Sequence, residues 1–255
     1  MTKKIYLRTI LFLIVLILWG YSVSKVFAGK KDIELADEMY SRAILLMGPD
    51  PSLAMSELNL AKKRNPREPK IFVAIGQIYF SQKNYQEAIK AFKKAIKFNE
   101  NFVVAYSNLG YTYMALKEWD KAIENFRVIF NYPGITAPHY VHNAIGWAYY
   151  EKNEFRKSIE ELKKAIELKN NYAIAYYNLG LSLLGLENFD QAFIEFKNAA
   201  KHQPELVQAH NRLALLYLKK NMKQEARKEF QKVIELAPNS PLAEEAKKYL
   251  VIMDK

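Results

Sequence analysis

The sequence predicts an all-α fold, a solenoid of helix-turn-helix repeats preceded by an N-terminal signal or anchor helix. A small residue recurs at Gly76, Gly110, Gly146, Gly180 and Ala214, with spacings of 34, 36, 34 and 34 residues. Around each of these positions apolar side chains recur in steps of three and four, which is the spacing of one helix face. Glycine and proline number only nine each in 255 residues, so turns are sparse and most of the chain is expected to be helical.

The first 28 residues are typical of an export signal. Basic residues precede an uncharged run at 9–24, and Val26-Phe27-Ala28 follows, which suits cleavage before Gly29. The alternative is an uncleaved anchor, because sixteen uncharged residues span about 24 Å as a helix and flanking basic side chains can reach the headgroups. Either way residues 29–255 are expected outside the cytoplasm, in the periplasm or anchored in the inner membrane, since the positive flank stays inside.

Each predicted repeat consists of two amphipathic helices. The first helix carries an apolar face such as Phe72, Ile75 and Tyr79, and the second carries a small and a large residue four apart. The small residues are expected where the paired helices cross closely, and the large ones between the layers. These small and large residues are Ala88 and Phe92, Ala122 and Phe126, Ala192 and Phe196, and Ala226 and Phe230.

Asparagine and proline mark the predicted helix ends. Asparagine tolerates left-handed backbone, so the turns within repeats are placed at Asn84, Asn153, Asn188 and Asn221. Proline cannot continue a helix, so second helices end before Pro66, Pro204 and Pro238. The predicted organisation is a degenerate helical pair at 29–68, five repeats at 69–102, 103–138, 139–172, 173–206 and 207–240, and a capping helix at 241–255.

A period of 34 residues, with aromatic–Leu–Gly–Tyr in the first helix and Ala and Phe in the second, resembles the tetratricopeptide repeat (TPR) family. The resemblance covers residues 35–253. It implies a right-handed superhelix whose inner groove is lined by the first helices and holds a protein or peptide partner.

The groove read from this register is aromatic and apolar, with interspersed amides. Such a surface is typical of an interaction site, and the alternative is that some of its members pack against neighbouring helices. The predicted groove residues are Tyr111, Met114, Tyr140, Asn143, Trp147, Tyr150, Tyr177, Asn178, Leu181, Asn211 and Arg212.

One binding mode of the family is not predicted. Chaperone-tail-binding members clamp a terminal carboxylate with two Lys, two Asn and an Arg. Asn178 and Arg212 match that pattern. Three other positions needing Lys, Asn and Lys hold Asn143, Trp147 and Gln208. Without both lysines the charge complement for a terminal carboxylate is weak.

The stretch FNYPGITAPHYVHNAIGW, residues 130–147, raises the question of a metal or catalytic site. His139 and His142 are three residues apart, a spacing that could bind metal, but a third ligand is lacking nearby. His142 also stands where other repeats carry packing residues such as Phe72. The stretch is therefore interpreted as a lengthened joint between repeats. We expect no catalytic, cofactor-binding or metal-binding residues and no enzyme; an enzyme or metal protein using the two histidines is the alternative.

The same loop, NYPGITAPHYVHNAIG at 131–146, resembles the type IV pilus biogenesis/stability branch of the family. Those exported proteins help the outer-membrane secretin assemble, which implies a secretin or pilus component as the partner. They usually carry a lipid-modified Cys after the signal, whereas this chain has none. The alternative is a general periplasmic or membrane-anchored adaptor for cell-wall, division or secretion complexes.

The formal charge of +11 is spread along the chain and mixed with Glu. This predicts a solvated surface rather than a nucleic-acid interface. The densest basic cluster, AKKRNPREPK at 61–70, fits cations at a helix C-terminus. Contact of that cluster with anionic lipid or an acidic partner is the alternative.

Overall fold

The computed structural model describes residues 29–133 and 135–253, which form thirteen α-helices and no strand. Helix α1 covers residues 29–46. The others are α2 (Pro51–Arg64), α3 (Pro69–Ser81), α4 (Tyr85–Phe98), α5 (Val103–Ala115), α6 (Trp119–Ile129), α7 (Pro138–Glu151), α8 (Phe155–Leu168), α9 (Ala173–Gly185), α10 (Phe189–His202), α11 (Val207–Lys219), α12 (Lys223–Leu236) and α13 (Pro241–Met253). The predicted all-α class with paired helices is confirmed, and the exact repeat boundaries stay a prediction.

The predicted signal or anchor segment, residues 1–28, lies outside the described residues. From residue 29 to 133 and from 135 to 253, no helix is both long and apolar enough to cross a membrane.

The chain forms two compact units that divide within α5, between Thr112 and Tyr113. In the first unit α2 packs against α3, and α3 pairs with α4. In the second unit the pairs are α7 with α8, α9 with α10, and α11 with α12. Each pair contacts the next one in the chain: α6 contacts α7, α8 contacts α9, α10 contacts α11, and α12 contacts α13.

In the pairs α3–α4, α7–α8 and α9–α10, a large side chain of the second helix packs against a glycine of the first helix. A Cβ added to Gly76 would lie 2.4 Å from the Phe92 ring, and one added to Gly180 would lie 2.7 Å from the Phe196 ring. Both rings are fully buried. Only a residue without a side chain permits the ring to approach this closely. The buried large side chains at this position of the second helices are Phe92, Phe126, Leu162, Phe196 and Phe230.

One pair departs from the Ala–Phe pattern. Ser158 and Leu162 of α8 occupy the places of Ala and Phe, and both are fully buried. The Ser158 hydroxyl lies 2.7 Å from the Gly146 carbonyl oxygen, to which it donates, and 2.8 Å from the Ser182 hydroxyl. The Ser182 hydroxyl has one proton, which it can donate to Ser158 Oγ or to the Asn178 carbonyl oxygen 3.0 Å away. A short chain of buried hydrogen bonds therefore links α7, α8 and α9.

The turn within each repeat closes on one residue with left-handed backbone. These residues have φ between 58° and 61°, and they occupy the same register in five successive repeats. All four predicted asparagines lie in these turns. Asn153 and Asn221 are the left-handed residues, whereas Asn84 and Asn188 lie one residue after the left-handed position. Asn188 is instead the N-cap of α10, where its side chain accepts from the Gln191 N–H at 3.3 Å. The left-handed residues are Lys83, Lys117, Asn153, Glu187 and Asn221.

Replacing Glu187 by Asn is expected to stabilise the protein by about 0.5 kcal/mol. Left-handed backbone costs a residue with a Cβ roughly 1–2 kcal/mol, and Asn tolerates it better than Glu. The chain itself uses Asn in this place at residues 153 and 221. Urea unfolding followed by circular dichroism measures the change. The reciprocal Asn153→Glu is expected to lower stability by a similar amount, and an unchanged midpoint in both variants would contradict the argument.

The basic cluster at 61–70 is partly used to hold α1. Arg64 pairs with Asp32 at 2.8 Å, and Lys70 pairs with Asp37 at 2.8 Å. Carboxylates of α1 thus neutralise two members of the cluster. These two ion pairs favour a structural role for the cluster inside the first unit over a free basic patch that contacts lipid or an acidic partner.

Candidate partner-binding surface

In the second unit, side chains of α7, α9 and α11 form a surface that we call the first-helix surface. Its members are partly exposed, and Tyr140 is 47% exposed. Aromatic, amide and guanidinium groups follow one another along it. The members are Tyr140, Asn143, Trp147, Tyr150, Tyr177 and Arg212.

The second helices present a different surface. On α8 every exposed position before the last residue is charged, whereas exposed charges are sparse on α7 and α9. A charged face suits solvent, and an aromatic one suits contact with another molecule. The charged positions are Arg156, Lys157, Glu160, Lys163, Lys164 and Glu167.

Three predicted groove residues are buried: Asn178 and Leu181 are each 6% exposed, and Asn211 is 5% exposed. The Asn178 amide donates to Asn143 Oδ1 at 3.0 Å, which links α9 to α7. Leu181 belongs to the apolar core of the unit. These three residues therefore pack against neighbouring helices, because the first helices lie close enough to cover them. The sequence analysis gave such packing as the alternative to groove exposure.

Two predicted groove residues, Tyr111 and Met114, belong to α5 and are not part of the first-helix surface of α7, α9 and α11. Tyr111 belongs to the first unit and is 44% exposed, while Met114 belongs to the second and is half-buried. The binding role of the whole predicted set stays a prediction.

The centre of the first-helix surface is an aromatic stack. The rings of Trp147 and Tyr150 lie 5.0 Å apart with an interplanar angle of 28°. Tyr150 also contacts the Phe155 ring at 5.8 Å, across the turn from α7 to α8. Phe155 was not predicted, since it belongs to a second helix. The contacts fix the two aromatic side chains in place while leaving each partly exposed, which lowers the entropy lost when a partner binds.

A second aromatic group lies where α7 begins. The His139 and Tyr140 rings are 4.2 Å apart, and the Tyr140 and Tyr172 rings are 5.2 Å apart. The Lys169 ammonium lies 5.6 Å from the centroids of both tyrosine rings. Burial, with a smaller effect of the Lys169 charge, lowers the pKa of His139. His139 is therefore held in its neutral form at neutral pH.

The histidines that raised the metal question are used in other ways. His142 Nδ1 lies 2.7 Å from Glu161 Oε2, and its ring lies 4.6 Å from that of Phe130. Its packing role between α7 and α8 is as predicted. Among the described residues no three His, Cys, Asp or Glu side chains form a group that could hold a metal ion.

The same pairing recurs two repeats later at His210 and Glu229. His210 Nδ1 lies 2.6 Å from Glu229 Oε2, and Nε2 lies 2.9 Å from the Pro204 carbonyl oxygen. Both partners are acceptors, so both ring nitrogens donate, as only the charged imidazolium can. The hydrogen bond to Glu229 is the main reason that the pKa of His210 is raised.

We expect the stability of the protein to fall as the pH rises above about 6.5, the ordinary pKa of unfolded His. Because the pKa of His210 is higher in the folded than in the unfolded protein, its contribution to stability is fully present below the unfolded pKa. That contribution is lost as the pH rises through the folded pKa. Urea midpoints between pH 6 and 8 measure this. His210→Gln should flatten the slope, whereas exposed His202→Gln should not. His139, with its lowered pKa, makes stability rise with pH up to about 6.5, but wild type and both variants share this effect, so the difference in slope between wild type and His210→Gln reports on His210.

Two family models match the chain. One described as "TPR repeat" matches residues 76–117 and 146–187, and one described as "Tetratricopeptide repeat" matches residues 177–241. Together they cover more than half of the chain. The unmatched stretch between 117 and 146 holds α6 and the lengthened connection.

Three solved structures share this architecture. MamA is 29% identical with a TM-score of 0.57, covering 64% of this chain and 95% of that chain. PilW, described as a widely conserved type IV pilus biogenesis factor, is 16% identical with a TM-score of 0.74, covering 82% and 97%. PilF of Pseudomonas aeruginosa is 13% identical with a TM-score of 0.73, covering 86% and 99%. At these identities PilW and PilF show likeness of fold alone.

Curated relatives match over part of their length. The anaphase-promoting complex subunit CDC16 of Saccharomyces cerevisiae is 28% identical over 137 residues, 48% of this chain and 16% of that protein. The BBSome complex member BBS4 of Bos taurus is 21% identical over 220 residues, 86% of this chain and 38% of that protein. The chain thus spans well under half the length of these relatives.

Proposed function

The chain belongs to the tetratricopeptide repeat family of protein-binding scaffolds, and on that premise we propose that it binds a protein or peptide partner on the first-helix surface. The observation that carries this proposal is the Trp147–Tyr150 stack, whose two rings contact each other and are partly exposed. Rigid aromatic side chains of this kind dominate binding energy at interfaces. The adjacent amide of Asn143 adds a hydrogen-bonding group for the backbone of a bound segment.

We further propose that the protein acts in the cell envelope, exported or anchored in the inner membrane by its first 28 residues. The basic and then apolar order of that segment supports this. The partner proposed first is a secretin or pilus component, because the loop at 131–146 resembles that of pilus biogenesis proteins. A general adaptor for cell-wall, division or secretion complexes is the second candidate, since the chain lacks the cysteine used for lipidation.

The test is a pull-down from envelope membranes with the full chain as bait. Wild type is compared with Trp147→Ala/Tyr150→Ala, and retained proteins are identified by mass spectrometry. Tyr249→Ala is the matched control, because its ring is also half-buried and stacks on Phe230 at 5.0 Å, but on the capping helix.

The outcomes separate the candidates. Secretin or pilus proteins retained by wild type and by the control, but lost from the double variant, would support the assembly role. Cell-wall or division proteins with the same dependence would favour the general adaptor. Equal recovery with all three baits would show that the first-helix surface is not the binding site.

A further inference from the structure

We infer that a pocket at the end of the first-helix surface binds a large apolar side chain of the partner together with an adjacent carboxylate. The inference rests on the proposed function and specifies the chemistry of the bound segment. The pocket has a volume of about 420 Å³ and lies where α7, α9 and α11 meet the start of α8. Its apolar lining is formed by Tyr150, Phe155, Leu181 and Leu184.

The shape of the pocket depends on a glycine. Gly185 is the last residue of α9, and a Cβ added to it would lie 2.5 Å from the Phe155 ring. The absence of a side chain lets the Phe155 ring lie over the end of α9 and form one wall of the pocket. The apolar part of the lining suits one large apolar side chain, while Glu151, Asn153 and Arg212 line the rest of the pocket.

A free positive charge lies beside these apolar walls. Arg212 of α11 lines the pocket, is partly buried, and has no hydrogen bond or ion pair with any residue that the structure describes. A guanidinium presents a planar fork that pairs with a carboxylate through two parallel hydrogen bonds. Lys152, the residue after α7, by contrast pairs with Glu154 at 2.7 Å.

A negatively charged side chain at the pocket indicates on which side of the apolar anchor the bound segment carries its acidic residue. Glu151, at the end of α7, also lines the pocket and has no described ion-pair partner. A carboxylate of the ligand would be repelled there and attracted at Arg212. The complementary ligand therefore carries its acidic residue on one side of the apolar anchor only. A segment with acids on both sides would bind less well.

The experiment selects short random peptides displayed on phage against the immobilised full chain. Selected sequences are then made as labelled peptides, and binding is measured by fluorescence anisotropy. The expected sequences hold Phe, Leu or Trp next to Asp or Glu. Changing that acid to its amide should weaken binding to wild type about three- to tenfold, and changing the anchor to Ala should weaken it at least about tenfold.

Arg212→Gln is the decisive variant. Binding of the parent peptide should weaken by the same factor as the acid-to-amide change, and the two changes together should have no further effect. Arg212→Lys should retain part of the effect, because the charge remains without the bidentate geometry. Lys248→Gln on α13 removes the same charge elsewhere and should leave binding unchanged, and circular dichroism confirms the fold of each variant.

Two results would overturn the inference, and they differ in what they leave standing. If selected peptides lose binding to Trp147→Ala but bind Arg212→Gln as well as wild type, the first-helix surface binds peptides without the pocket charge. If no peptide prefers wild type to Trp147→Ala, the proposed function fails as well. Trp147 is suited to this comparison because it lies on the surface but does not line the pocket.

Discussion

Phe196→Ala is expected to lower the free energy of unfolding by about 3–5 kcal/mol, the usual range for removing a buried aromatic ring. The Phe196 ring is fully buried between α9 and α10, and it contacts the Tyr177 ring at 5.6 Å. The neighbouring helices cannot collapse onto the vacated space, because each is also held by the next repeat. Urea unfolding of the full chain, followed by circular dichroism, measures the loss.

Ile194→Ala is the matched control for Phe196→Ala. Ile194 lies on the same helix, but its side chain is 54% exposed, so its truncation should change stability by less than about 1 kcal/mol. Similar losses in the two variants would show that the small–large contact between paired helices is not a main source of stability.

Gly180→Ala is expected to destabilise the protein by about 1–2 kcal/mol, although Ala is the better helix former. Helix propensity alone predicts a gain of roughly 1 kcal/mol in the interior of α9. The added Cβ would lie 2.7 Å from the Phe196 ring, which is enclosed on all sides and must shift. Overpacking of this kind costs about 1–3 kcal/mol. The sign of the measured change therefore decides between propensity and packing.

Two further variants make the Gly180 test specific. Gly48→Ala adds a Cβ that meets nothing within 4 Å, so it should not be destabilising. In Gly180→Ala/Phe196→Ala the methyl group enters the space left by the ring, and the loss should be smaller than the sum of the single losses by at least about 0.5 kcal/mol. Strict additivity would mean that the two positions do not contact each other as described.

The paired helices and their close crossings were predictable because they depend on side-chain size at a fixed period. The sequence predicted small residues at the crossings and large ones between the layers, and the structure adds that the Phe92 and Phe196 rings pack against Gly76 and Gly180. The left-handed residue of each turn was less predictable. At Lys83 and Glu187 the backbone hydrogen bonds of the turn impose the conformation on residue types that disfavour it.

The candidate site was predictable in its helices but not in each side chain. Trp147 and Tyr150 are partly exposed, as the register predicted, whereas Asn178 and Leu181 are covered by neighbouring helices. The register gives the direction of a side chain, but its exposure depends on how closely the next pair of helices packs. Phe155 belongs to a second helix, so no groove pattern indicated it, and the pocket that it walls was not predicted.

The lengthened connection between α6 and α7 shows where this array tolerates extra sequence. The two additional residues of the 36-residue spacing lie in the stretch that ends at Pro138, outside the turns that close each repeat. A change of length there leaves the left-handed residue of the following turn, Asn153, in its usual place relative to its own helices. The same stretch is therefore a suitable place to graft a fluorescent label or an affinity tag without altering the helix pairs on either side.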